Sequence, residues 1–207
     1  MKPAAKERKV KQMPAKPVTP SDRPELLHGL ATEEGLPVYP PTGIRITVIG
    51  GGFVGLVAAA GFAQFGHSVT LVEKDESKLN ELRTGKVRIY ERSLPELIKA
   101  NLSRQRLSFR SELAEAVKGV QAIFLAVGTP SLSTGEADLS AVFEVVQALA
   151  PFLEPKQIIV LKSTVPVGTA SQVRRLLSEN GTALKQISVV SNPEFLVEGK
   201  AIEGSIR

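Results

Sequence analysis

Three glycines at G-x-G-x-x-G spacing form the first stretch of this sequence whose residues could do chemistry. Gly50, Gly52 and Gly55 stand between the apolar run IRITVI and a segment of helical composition. In that context the first glycine permits a tight turn, the second lets a pyrophosphate approach the backbone, and the third lets a helix pack closely on a strand. The free N–H groups and the positive dipole end of that helix attract phosphate. Taken without this context, the same glycine spacing could also belong to a turn that binds no ligand.

A carboxylate stands at the end of the next apolar run, HSVTLVE. Glu73 follows Gly55 by 18 residues, a position from which an acid can accept hydrogen bonds from ribose hydroxyls. The same acid repels a 2′-phosphate, which favours NAD over NADP as the cofactor. The neighbouring Lys74 and Lys78 weigh against that preference. Taken alone, Glu73 could also be a solvated residue at the end of a strand.

Three further polar stretches follow apolar runs later in the chain. They are VGTPS at 127–131, KSTVP at 162–166 and NPEFLVE at 192–198. Ligands of doubly wound sheets bind beyond the carboxyl ends of the strands, so these stretches are expected to meet beside the nicotinamide half of the cofactor. Glu194 and Glu198 then supply carboxylates, one of which can act as a general base. Each stretch alone has a plainer interpretation as a turn, a helix cap or a solvated loop.

The elements that must position these residues are alternating strands and helices. Strands are predicted at 44–49, 67–73, 106–109, 121–128, 156–163 and 186–191, and helices at 53–66, 75–85, 93–102, 111–119, 138–153 and 169–180. The strands are nearly continuous apolar runs, as expected when helices cover both faces of a parallel sheet. The predicted fold class is therefore α/β, a doubly wound Rossmann sheet of six parallel strands in the order 3-2-1-4-5-6. Asp75 is a predicted N-cap, and Ser93 with Glu96 has capping-box spacing.

Composition limits the functions open to the chain. It contains no cysteine and two histidines, which excludes disulfides and thiolate sites and argues against a metal cluster. The net charge of +5 comes entirely from residues 1–16, and the rest of the chain has no net charge. The folded part therefore has no excess of basic residues to bind a nucleic acid, and such a partner is not expected. No apolar run approaches the roughly 20 residues of a membrane span, and no signal peptide is recognisable, so a cytoplasmic location is expected. Residues 1–43 hold eight of the 14 prolines and predict a flexible Pro/Lys-rich extension before a domain at 44–207.

Five stretches together resemble the UDP-glucose/GDP-mannose dehydrogenase family. They are VIGGGFVGLVAAAGFAQFGHSVTLVEKDESKL, IYERSLPELIKANL, FLAVGTPSLSTGEADLS, VLKSTVPVGTA and SNPEFLVEGKAIE, and they run in order from about residue 44 to residue 203. KSTVPVG and NPEFL are far more specific than the glycine turn. The resemblance implies an NAD-dependent enzyme of nucleotide-sugar metabolism and polysaccharide biosynthesis. Such an enzyme oxidises the C6 alcohol of a sugar nucleotide such as UDP-glucose to a carboxylate, in two hydride transfers.

The resemblance also implies roles for individual residues. NAD would be bound by Gly50, Gly52, Phe53, Val54, Gly55, Glu73, Lys78, Thr129, Ser131, Thr164 and Glu198. The sugar nucleotide would be bound by Glu194, Phe195, Leu196, Val197 and Glu198. Among these, Glu194 would transfer a proton, Thr164 would help to place a water molecule, and Glu198 would complete the catalytic set.

Several departures from the family pattern shape what is expected of this chain. The family uses a cysteine thiolate in a later motif, a long central helix that forms its dimer, and a C-terminal UDP-binding domain, and none of these is recognisable here. The motif E-P-G-L is E-R-S-L at 91–94, and the usual ribose-binding Asp is Glu73. The chain is therefore interpreted as a truncated NAD-binding domain that does not complete the oxidation alone. The alternative is an NAD-sensing module or pseudoenzyme that pairs with a complementary subunit.

Overall fold

The fold is a six-stranded parallel sheet, seen in a computed structural model that describes residues 39–179 and 186–202. The strands are β1 (Arg45–Ile49), β2 (Ser68–Val72), β3 (Leu107–Arg110), β4 (Ala122–Leu125), β5 (Ile158–Leu161) and β6 (Ser188–Ser191). Their order is β3-β2-β1-β4-β5-β6, and every neighbouring pair is parallel. The doubly wound α/β fold and the strand order predicted from the sequence are both confirmed.

Helices cover both faces of this sheet. They are α1 (Phe53–Gln64), α2 (Glu76–Arg83), α3 (Leu94–Ser103), α4 (Leu113–Val117), α5 (Ser140–Leu149) and α6 (Thr169–Glu179). One core contains Val48 and Leu71 with residues of α1, α2 and α3, while the other contains Ile49 and Val72 with residues of α4, α5 and α6. Successive strand residues point to opposite faces, so both faces of a strand must be apolar. None of the described helices has the length and apolar composition needed to cross a bilayer.

Two helix starts were predicted from capping signals, and both helices are present, but one of the two capping hydrogen bonds is not formed. Asp75 caps α2 as expected, since its Oδ1 accepts a hydrogen bond from the backbone N–H of Lys78 at 3.0 Å. Ser93 makes no such bond at the start of α3. Its backbone is left-handed, with φ of 64°, whereas a capping residue needs an extended backbone. Position 93 is where the family motif E-P-G-L carries glycine, the residue suited to that conformation.

The segment just before β1 packs onto the domain. The backbone N–H of Thr42 donates to the carbonyl of Gly66 at 3.0 Å, and the Arg106 guanidinium donates to the carbonyl of Tyr39 at 2.7 Å. The Tyr39 ring lies 5.6 Å from the ring of Phe65, centroid to centroid. Residues 39–42 therefore contact the turn that follows α1 and the residue that precedes β3. The rest of the predicted extension, residues 1–38, lies outside the described residues.

Candidate functional site

The turn between β1 and α1 requires glycine at two positions. Gly50 has φ of 107°, and a Cβ there would lie 2.5 Å from the carbonyl oxygen of Ala126 on the neighbouring strand. A Cβ on Gly55 would lie 1.8 Å from the carbonyl oxygen of Gly50. Both distances are far below van der Waals contact, so larger residues would force the turn away from β4 and α1 away from the turn. These glycines determine the shape of the turn.

Gly52 is different because the space that a side chain would occupy there is open. It has ordinary extended backbone angles, φ of −69° and ψ of −174°, and a Cβ there would meet no atom within 4 Å. Gly52 precedes the first turn of α1, which has no side-chain cap and no acidic residue. The N-terminal amides of this helix and its positive dipole end therefore face an open space. An anion can approach the backbone here because glycine leaves that space empty.

Glu73 is held against the glycine turn. Its Oε2 accepts a hydrogen bond from the backbone N–H of Gly51 at 3.2 Å and lies 3.0 Å from the Lys78 Nζ, while its Oε1 accepts from the N–H of Asp75 at 3.1 Å. Partial burial raises the pKa of the Glu73 carboxyl, but the Asp75 hydrogen bond and the Lys78 ammonium outweigh it. The net pKa lies below its ordinary value, so the side chain is a carboxylate at neutral pH.

A cleft of about 380 Å³ opens beside Glu73 and the turn. Its walls come from the turn, the ends of β2 and β4, the segment after β3 and helix α5, and they include Gly52, Glu73, Ser111, Leu113, Val127, Glu144 and Val145. The lining combines apolar side chains with two carboxylates, and Glu73, beside the turn, is the one placed to bind a diol. Its size and position suit a nucleoside bound beyond the carboxyl ends of the strands.

A second cleft, of about 270 Å³, lies on the other side of Gly52. Phe53, Val54, Thr129, Thr164 and Glu194 line it, so five residues singled out from the sequence meet here. The Thr129 hydroxyl donates to the carbonyl of Thr164 at 3.0 Å, which ties the loop after β4 to the loop after β5. The two clefts share Gly52, Ala126, Val127 and Gly128 and therefore adjoin, and the adjoining pair is called the groove below.

Five of the remaining sequence candidates do not line this groove. Ser131 forms an isolated bridge with Ala137 in the exposed loop after β4. Phe195, Val197 and Glu198 are exposed, Phe195 to 89%. Leu196 is half-buried and packs against the core on the α1 side of the sheet. Of the segment 194–198, only Glu194 lines the second cleft.

Comparison with known proteins identifies the domain. Residues 44–207 match the family model described as the UDP-glucose/GDP-mannose dehydrogenase family, NAD binding domain. The chain belongs to the UDP-glucose/GDP-mannose dehydrogenase family. Its cofactor is NAD, as predicted from the sequence. The fit is visible in the structure, since the open space at Gly52, the bare N-terminus of α1 and the Glu73 carboxylate lie along one groove.

Relatives within this dehydrogenase family have been found by sequence and by structure. A UDP-glucose 6-dehydrogenase of Rhizobium meliloti is 46% identical over 161 residues, which cover 77% of this chain and 37% of the relative. A UDP-glucose dehydrogenase of Pyrobaculum islandicum superimposes with a TM-score of 0.71 at 40% identity, covering 80% of this chain and 40% of that one. A GDP-mannose dehydrogenase of Pseudomonas aeruginosa gives a TM-score of 0.73 at 31% identity, covering 78% and 38%. The chain thus spans little more than a third of the length of these relatives.

Two residues of this dehydrogenase domain were not singled out from the sequence. Lys162 lines the second cleft, and its Nζ contacts the carboxylate of Glu194. Glu91 is buried and accepts hydrogen bonds from the backbone of the segment after Glu198. Lys162 had a local signal, because it is a charged residue directly after the buried run IIVL. Glu91 is the first residue of the E-R-S-L motif, but nothing local indicated its hydrogen-bond partners, which lie more than 100 residues away.

Proposed function

We propose that this chain supplies the NAD-binding part of an enzyme that oxidises UDP-glucose to UDP-glucuronate. The observation that carries the proposal is the groove that joins the glycine turn to Thr164 and Glu194 through Gly52. When bound, NAD would supply the hydride acceptor for oxidation at C6 of the sugar. The second cleft, whose wall carries the Glu194 carboxylate and the Thr164 hydroxyl, would then hold the nicotinamide. We also place the protein in the cytoplasm.

The first cleft and the turn would hold the adenosine half of NAD. Gly51, Lys78 and Asp75 occupy three of the roughly four lone-pair sites of the Glu73 carboxylate, so Oε1 can accept one hydrogen bond from a ribose hydroxyl. Lys78 neutralises part of its charge at 3.0 Å. Gly52 and the N-terminus of α1, with Phe53 and Val54, would take the pyrophosphate, while Gly50 and Gly55 keep the turn in shape. Thr129, Ser131 and Glu198 would act further along the dinucleotide, which requires the loops after β4 and β6 to approach it.

Glu194 and Thr164 would perform the proton chemistry at the sugar. Glu194 is half-buried at the wall of the second cleft, where a carboxylate can accept a proton from the C6 hydroxyl. Thr164 lines the same cleft and can orient a water molecule for the second oxidation. Backbone and side chains of residues 195–198 would complete the contacts to the sugar nucleotide. Glu198 would be the second carboxylate of that site.

We expect these 207 residues to bind NAD without completing the reaction by themselves. The sequence has no cysteine, so it cannot form the thiol-bound intermediate that the family resemblance implies. The same absence favours a second candidate function, an NAD-sensing module that pairs with a subunit supplying the missing half. Co-purification with such a subunit would favour the second candidate. Restored UDP-glucuronate formation on adding a cysteine-bearing fragment of a relative would favour the first.

A fluorescence titration with NADH, in the presence and absence of UDP-glucose, tests the proposal. Gly52→Ala and Gly61→Ala form a matched pair, because a Cβ at either position meets no atom within 4 Å. The Cβ at position 52 enters the groove, whereas Gly61 lies inside α1. We expect Gly52→Ala to weaken NADH binding about tenfold or more, a loss of about 1.4 kcal/mol. Gly61→Ala should bind like the wild type and gain up to about 1 kcal/mol in stability.

Three outcomes would contradict parts of the proposal. Absence of NADH binding to the folded wild-type chain would refute the cofactor site. Equal NADH affinity in the two glycine variants would show that the pyrophosphate does not lie at Gly52. Robust UDP-glucuronate formation by the chain alone would refute the expected dependence on a missing thiol. An effect of UDP-glucose on the NADH titration would support a partial sugar site.

A further inference from the structure

Lys162 is a buried charged residue whose contacts the proposed function leaves unused. It directly follows β5, and only 7% of it is exposed. Its Nζ donates to Glu194 Oε2 and, at 3.1 Å, to Asn192 Oδ1. A buried ammonium is costly unless it is paired and hydrogen-bonded. The two acceptors from the segment after β6 provide that pairing.

The sheet fixes where the lysine stands. The backbone N–H of Lys162 donates to the carbonyl of Leu125 on β4 at 2.9 Å. The backbone N–H of Asn192 donates to the carbonyl of Leu161 on β5, also at 2.9 Å. Lys162 is therefore attached to a central strand, with Asn192 beside it in the ladder. Glu194 lies in irregular backbone beyond β6, so the lysine is the member of the pair whose backbone is bonded directly to the sheet.

The pair also fixes the orientation of the Glu194 carboxylate. Its Oε1 accepts a hydrogen bond from the backbone N–H of Phe195 at 3.0 Å, and its Oε2 contacts Lys162. Both oxygens therefore have a partner. Lys162 and Glu194 each line the second cleft, beside Thr164 and Gly52. The cleft wall thus carries one positive and one negative charge in direct contact.

We propose that Lys162 is a positioning residue that orients and neutralises Glu194, and that the balance of the two charges sets the relative affinities for NAD⁺ and NADH. This inference rests on the proposed function, because it requires the nicotinamide ring to lie in the second cleft. The oxidised ring carries a positive charge and the reduced ring carries none. A fixed charge at the cleft wall therefore changes the ratio of the two affinities, whereas loss of packing weakens both nucleotides alike.

Binding constants of the full chain for NAD⁺ and NADH, measured by calorimetry at low fixed salt and neutral pH, test this inference. Lys162→Met removes the positive charge and leaves the Glu194 carboxylate unpaired. We expect it to favour NAD⁺ over NADH by about tenfold relative to the wild type, the effect of one charge several ångströms from the ring in a partly aqueous cleft. Glu194→Gln leaves the ammonium unpaired and should shift the ratio about tenfold in the opposite direction. The double variant should return to within about threefold of the wild-type ratio.

Lys118→Met is the matched control, because it removes the same charge from an exposed side chain at the end of α4, by the amino end of β4. Its affinity ratio should equal that of the wild type. Should Lys162→Met fail to fold, Glu194→Gln, which keeps the side-chain volume, still decides the question. Ratios within twofold of the wild type, or shifts of the same sign in both single variants, would overturn the inference while NADH binding persists. Failure of the wild-type chain to bind either nucleotide would instead overturn the proposed function.

Discussion

The Glu91 carboxylate should anchor the chain segment that follows the sugar-site residues. Only 3% of Glu91 is exposed, and it accepts backbone N–H groups from Gly199 at 2.7 Å, Ala201 at 2.9 Å and Ile202 at 3.4 Å. No ion pair to Glu91 is formed within the part of the chain that the structure describes. These N–H groups are therefore the partners that make burial of the carboxylate tolerable.

The cost of removing this carboxylate follows from its two short hydrogen bonds. A hydrogen bond to a charged group contributes about 1.5–3 kcal/mol, and the third contact is too long to add much. Truncation also leaves amides near a buried core without an acceptor, although it removes the cost of burying the carboxylate. We therefore expect Glu91→Ala to lower the free energy of opening this segment by about 3 kcal/mol. Glu91→Gln keeps one acceptor oxygen and should cost about 1–2 kcal/mol.

Native-state hydrogen exchange measures that opening residue by residue. A loss of about 3 kcal/mol corresponds to roughly 100-fold faster exchange at the amides of Gly199 and Ala201 in Glu91→Ala. The amide of Val48, in the centre of the sheet, should keep its protection. Glu96→Ala is the control, since Glu96 is exposed in the first turn of α3. Exchange at Gly199 and Ala201 that changes by less than about threefold would refute the anchoring role of Glu91.

Three further predictions concern the turn and the helix starts. Ser93→Gly should raise the free energy of unfolding by about 0.5 kcal/mol, because glycine adopts the left-handed backbone without strain and this gain exceeds the added entropy of the unfolded chain. A lower free energy of unfolding in urea would mean that Ser93 acts as a cap after all. Gly55→Ala should lower the free energy of unfolding by about 3 kcal/mol and abolish NADH binding, because its Cβ would lie 1.8 Å from the carbonyl oxygen of Gly50. An unchanged Tm would contradict the close packing of α1 against the turn. Because the pKa of Glu73 is lowered in the folded state, its carboxylate stabilises the fold above the ordinary pKa, and this contribution is lost as pH falls through the folded-state value. The Tm difference between wild type and Glu73→Gln should therefore shrink as the pH falls below the ordinary pKa of a glutamate, and a constant difference would contradict this linkage.

The sequence was most informative where local pattern and topology agree. The runs IRITVI and QAIFLAVG are short, mostly apolar and end at glycine, which is typical of strands buried on both faces, so β1 and β4 and their places in the sheet were predictable. The roles of Gly50 and Gly55 followed from the position of the turn between β1 and α1. Asp75 was equally readable, because an N-cap interacts with a residue only three positions away.

Contacts between distant parts of the chain were not predictable from a single sequence. Lys162 and Glu194 meet because β5 and β6 pair in one register, and no local pattern encodes that register. The wrong capping prediction at Ser93 has a different, local cause. Its spacing from Glu96 fits a capping box, but the backbone conformation is fixed by the tight turn from Glu91 into α3, where Leu94 N–H donates to the Glu91 carbonyl at 3.3 Å.

The contact between Glu73 and Gly51 has a consequence for attempts to re-engineer the nucleotide preference of this domain. Replacing the acid by a small or basic residue is the obvious route to accepting a phosphorylated ribose. Here that exchange would also remove the acceptor of the Gly51 N–H and the partner of Lys78. A Cβ on Gly51 would lie 2.6 Å from Glu73 Oε2, so the acid fits closely against the turn. A successful redesign therefore has to supply a new hydrogen-bond acceptor for the Gly51 N–H as well as a group that binds the phosphate.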